Sequence, residues 1–121
     1  MKLKKNVSIE KLIPLMNKSL PIIEKACKEI EGSKYEMTIT SGNDGLHKKG
    51  SLHYINRAID IRSKDMKNPI EVQLRIKQRL GRNFDVIYEF NHIHIEYDPR
   101  NTSQEKHLDG RYRNKQSDLK Q

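Results

Sequence analysis

With 121 residues, the chain has room for one domain and one modest core, and hardly for two. Its formal charge of +8 and charged fraction of 33% exclude a largely apolar protein and favour polyanionic partners: nucleic acid, an anionic membrane surface or an anionic cell-wall polymer. A single cysteine, Cys27, excludes an internal disulfide and fits a helix pattern as a buried thiol.

The basic start, MKLKKNVSIEKLIPL, lacks the continuous apolar run of a secretory signal, so synthesis in the cytoplasm is expected. Ser8 reads as an N-cap, with Pro14 and Pro21 interrupting the first helical region. A cleaner helix is predicted over 20–31, with Ile22, Ile23, Ala26, Cys27 and Ile30 at helical spacing and Gly32 as the stop. YEMTIT (35–40) alternates as a strand, SGNDGLHKKG (41–50) is a loop by composition, and AIDIR (58–62) reads as a second strand. The stretch NPIEVQLRIKQRLG predicts a helix over 69–80, with Asn68 as cap, Glu71 as capping-box partner and Gly81 as the stop. FDVIYEF (84–90) and HIHIEY (92–97) are strands close enough to form a hairpin. Beyond Asp98 a polar, basic tail (99–121) reads as a solvated extension of a single domain spanning 1–98. No stretch is long enough to span a membrane, so no membrane insertion is expected.

Strand alternation sorts the side chains. Ile59 and Ile61 point one way while Ala58, Asp60 and Arg62 point the other; Ile93, Ile95 and Tyr97 oppose His92, His94 and Glu96. His53 precedes its strand by a short turn that can bring its imidazole over Asp60. Two imidazoles and a carboxylate suit a catalytic zinc with a position left for water. The plainer alternatives are an exposed histidine pair and an ordinary ion pair of Asp60 with Arg62 or Arg57. Glu89, next to the hairpin turn, is a candidate proton acceptor; Glu96 is a second, better suited to orienting a histidine or to facing solvent. His47 and Arg62 are candidate substrate contacts, and Ser51 and Tyr54 flank His53.

These residues resemble a known family. SLHYINRAID is similar to the Ser-x-His-x-x-Gly-x-Ala-x-Asp motif of the zinc D-alanyl-D-alanine carboxypeptidases and related peptidoglycan endopeptidases. TSGNDGLHKKG and HIHIEYDP resemble the versions in small phage-encoded members, and the fold is shared with the Hedgehog signalling domain. The resemblance covers roughly residues 8–98. It implies His53, Asp60 and His94 as ligands of one zinc ion, Glu89 as general acid/base and His92 as a substrate or transition-state contact. His47 occupies a loop position where some members carry a polar active-site residue. The motif's glycine is Asn56 here, a residue that tolerates left-handed backbone.

The expected fold is therefore α+β, a small antiparallel sheet with helices on its apolar face. The expected function is zinc-dependent hydrolysis of a peptide bond in peptidoglycan stem peptides by a monomer, as a carboxypeptidase or an endopeptidase. Access to the wall would follow a phage-type release route or a place in a virion. The alternatives are a non-catalytic zinc-bearing binding domain and a small basic nucleic-acid-binding protein. Few aromatics and no recognition motif make nucleic acid the weaker partner.

Overall fold

The computed structural model describes residues 1–42 and 56–99. Its elements run β1 (Lys2–Leu3), α1 (Pro14–Glu31), β2 (Thr38–Ser41), β3 (Ala58–Arg62), α2 (Pro69–Leu80), β4 (Phe84–Glu89) and β5 (His92–Tyr97). The fold is α+β, with one five-stranded sheet in the order β1-β2-β3-β5-β4 and two helices. The sheet is mixed rather than antiparallel. The short basic start, which lacks an alternating run, forms β1 and pairs parallel with β2. The other three pairings are antiparallel.

α1 begins earlier than its apolar spacing suggests. Ser8 does not cap it: Ile13 is the N-cap and Pro14 takes the first turn, where a missing N–H removes no helical bond. Pro21 lies inside the helix and is exposed. Its neighbours Met16, Leu20, Ile23, Ala26 and Cys27 are buried, and that face anchors the helix on both sides of the proline. Ile22, expected in the apolar stripe, is instead exposed. Burial pushes the Cys27 thiol up to about 12, so it is an inert core residue.

α2 starts where Asn68 and Pro69 place it, but the Asn68 side chain makes no cap bond. Glu31, at the end of α1, accepts from the backbone N–H groups of Lys67 and Asn68 at 2.9 and 2.6 Å. A carboxylate from the other helix thus lies at the positive end of α2. Glu29 adds ion pairs to Arg75 and Arg79, further tying α1 to α2.

The core joins the buried face of α1, Val72 and Ile76 of α2, and one face of the sheet, where Ile39, Ile59, Ile61, Val86, Ile93 and Ile95 are at most 1% exposed. The opposite face of β3, β5 and β4 is thereby left for polar groups. Gly42 closes β2 against the N-terminal segment: a Cβ there would lie 2.3 Å from the Ser8 carbonyl oxygen, so only glycine allows that approach. Among the described residues, no helix is long and apolar enough to cross a membrane.

Candidate metal centre

β3 and β5 are neighbours, and their register sets Asp60 directly opposite His94 and Arg62 opposite His92. One strand's alternation brings Asp60 and Arg62 to the polar face; the other's brings His92, His94 and Glu96 to the same face. The two-residue hairpin then pairs Glu89 of β4 with His92 of β5, so Glu89 shares that face. Within the turn, Phe90 adopts φ +46° and is 91% exposed, an unusual choice for a bulky residue in left-handed backbone.

His94 is the hub. Its Nδ1 donates to Asp60 Oδ1 at 2.8 Å and its Nε2 donates to Glu96 Oε1 at 3.1 Å. A ring donating from both nitrogens is the imidazolium. Burial pulls its pKa down, but the hydrogen bonds to Asp60 and Glu96 outweigh that and raise it from 6.5 to about 9. Glu96 is 1% exposed, and the hydrogen bond from His94 satisfies a carboxylate that burial has cut off from water. Glu96, for which the sequence left open orienting a histidine or facing solvent, is buried and in contact with His94.

His92 forms the outer wall. Its Nδ1 donates to Asn91 Oδ1 at 2.8 Å, which sets the ring's orientation. Its Nε2 lies 3.4 Å from Glu89 Oε1 and 4.0 Å from Asp60 Oδ2. The Glu89 side chain is half-exposed. Arg62 is half-buried beside Asp60 and lines the same open groove, while the partner of Asp60 is His94.

Asp60, His92, His94, Glu89 and Glu96 are thus brought together. His53 and His47, with the flanking Ser51 and Tyr54, lie outside the described residues, as does the tail from residue 100. Among the described residues no set of three His, Cys, Asp or Glu side chains is arranged as a complete metal site. Two metal-ligating atoms do face one another: Asp60 Oδ1 and His94 Nδ1, joined by a hydrogen bond whose proton a cation would replace. The donor types fit zinc, and the buried carboxylate behind His94 is the support that metal-binding histidines usually have. Asn56 adopts φ +61°, a left-handed conformation that asparagine tolerates better than most residues.

Sequence reasoning missed Lys4, Lys64 and Asn91, which line a groove beside Asp60 and His92. Lys4 reaches it only through the parallel β1–β2 pairing, for which no sequence pattern gave notice. No family model, curated protein or solved structure matches this chain.

Proposed function

We propose that the chain is a zinc peptidase acting on peptidoglycan stem peptides, with Asp60 and His94 as metal ligands and His53 as the third. The observation that carries this is the Asp60–His94 contact at 2.8 Å, with buried Glu96 fixing the other ring nitrogen. The motif SLHYINRAID and its pairing with HIHIEYD support the family assignment, and the +8 charge suits an anionic wall polymer. Zinc, when bound, supplies Lewis acidity that makes water nucleophilic near neutral pH and polarises a carbonyl.

The chain's own groups supply the rest. Glu89 takes the proton from the attacking water and returns it to the departing amine. His92 donates from Nε2 to the scissile carbonyl oxygen as negative charge gathers on it. Asn91 holds the His92 ring through Nδ1, leaving Nε2 toward the substrate. Glu96 holds His94 so that Nδ1 faces Asp60.

The test is digestion of purified peptidoglycan with zinc present, read by mass spectrometry of the fragments, with Glu89→Gln alongside. The parent is expected to release stem-peptide fragments. Glu89→Gln should keep zinc and lose about 10²–10⁴ in turnover. A parent protein that holds zinc yet leaves peptidoglycan intact would instead be a zinc-bearing binding domain. Equal turnover by parent and Glu89→Gln would remove Glu89 from the mechanism.

A further inference from the structure

We propose that the outer edge of β4 is a latent pairing surface for a second copy of this chain, held closed by Gln73 and Lys77 of α2.

Among the described residues β4 (FDVIYE) is the outermost strand on its side of the sheet, and its six residues are enough to template another strand. Phe, Val, Ile and Tyr are among the residue types that pair most readily in sheets. The strand at the opposite side, β1, has only two residues. Antiparallel pairing alternates: one residue bonds to the neighbouring strand, and the next turns its peptide group away. The Asp98 N–H donates to the Asn83 carbonyl at 2.7 Å, which sets the phase. Asp85, Ile87 and Glu89 therefore bond inward to β5, while Phe84, Val86 and Tyr88 turn their peptide groups to the edge.

α2 meets that edge. Gln73 Nε2 donates to the Val86 carbonyl at 3.0 Å, and Lys77 Nζ donates to the Phe84 carbonyl. The Phe84 N–H donates to the carbonyl of Gly81, just past the end of α2, at 3.3 Å. Spacing makes the match possible. Four residues of helix advance about 6.0 Å, and two residues of antiparallel strand advance about 6.8 Å. Because α2 runs against β4, Gln73 and Lys77 reach successive outward carbonyls. Gln73 is 6% exposed, so its amide is committed to this contact rather than to water. An acceptor already bonded to α2 offers an incoming strand little.

The surroundings fit a second copy. Ile70 and Leu74 are 59% and 37% exposed, and each lies three residues before one of the two donors, on the same flank of α2. Two β4 edges paired antiparallel are related by a two-fold axis, which brings like flanks together. Ile70 and Leu74 of one copy then meet the same pair of the other, and this apolar surface leaves water at the contact that extends the sheet.

The test is sedimentation velocity of the full chain over a concentration series, with circular dichroism to show that each protein is folded. The parent should keep the mass of one chain. Gln73→Met combined with Lys77→Met preserves side-chain length, removes both donors and should give the mass of two chains. Each carbonyl left without its donor is worth about 10-fold, so association should strengthen about 100-fold in the double variant and about 10-fold in either single one. Hydrogen exchange at the Val86 amide of the double variant should slow as concentration rises. Adding Ile70→Lys and Leu74→Lys should return that variant to a single chain. A folded double variant that stays monomeric overturns the proposal. So does a parent that associates as tightly as the variant, association that the two lysines leave unchanged, or association that leaves Val86 exchange unchanged. If the double variant does not fold, Lys77→Met decides, because Lys77 is only half-buried: association no stronger than the parent's overturns the proposal.

Discussion

The proton shared between His94 and Asp60 gives the metal-free protein a pH-dependent stability of predictable sign. In the folded chain the pKa of His94 is raised from 6.5 to about 9. Below pH 6.5 both folded and unfolded chains hold the proton, and the contribution is present in full. Between 6.5 and about 9 the unfolded chain releases it while the folded chain keeps it, so the contribution shrinks; above about 9 it is gone. At about 1.36 kcal/mol per pH unit the whole effect is about 3 kcal/mol, or about 2 M in a urea midpoint for a domain of this size. The assay is urea unfolding of chelator-stripped protein at pH 6 and pH 10, with His94→Gln as reference for every other titrating group. The parent should lose about 2 M more than the variant over that interval. Equal losses in the two proteins would refute the charged Asp60–His94–Glu96 triad. Zinc competes with the same proton, so its affinity should rise about tenfold per pH unit up to about 9 and level off beyond.

Three further outcomes follow from the geometry. Glu96→Ala removes the acceptor behind His94 Nε2 and should weaken zinc binding by about 10–100-fold, as measured by competition with a chromogenic chelator. Phe90→Asn places a residue tolerant of left-handed backbone at φ +46° and should stabilise the hairpin by about 1 kcal/mol in urea unfolding; a loss of stability would show that Phe90 is not strained. Ile95→Ala, at a fully buried position behind the site strand, should cost about 2–5 kcal/mol, read by the same unfolding experiment.

The strands that carry the candidate site were legible in the sequence because each has one apolar and one polar face. AIDIR and HIHIEY fall at their expected bounds, and alternation alone put Asp60, His92, His94 and Glu96 on one side. The second helix was equally legible, since Asn-Pro at its start and Gly81 at its end leave little choice. The start of α1 was harder to read. A proline at its first turn and another within it resemble breaks, and only packing against the core shows that the helix passes through Pro21. Register was not legible either. That Asp60 lies across from His94, and Glu89 across from His92, depends on which strands are neighbours and on a two-residue turn formed by Phe90 and Asn91 without glycine. The parallel β1 left no trace in periodicity, being two residues long, and with it the position of Lys4 was hidden. The burial of Glu96 could be guessed only as one of two roles, because strand alternation gives a face and not its exposure.

Zinc titration of the chelator-stripped parent, beside Asp60→Ala and His94→Ala, tests the central claim most directly. The parent is expected to bind one zinc ion per chain and to release a proton near neutral pH, and both variants are expected to lose that binding. A parent that takes up no zinc, or variants that bind it as tightly as the parent, would contradict the assignment of Asp60 and His94 as ligands.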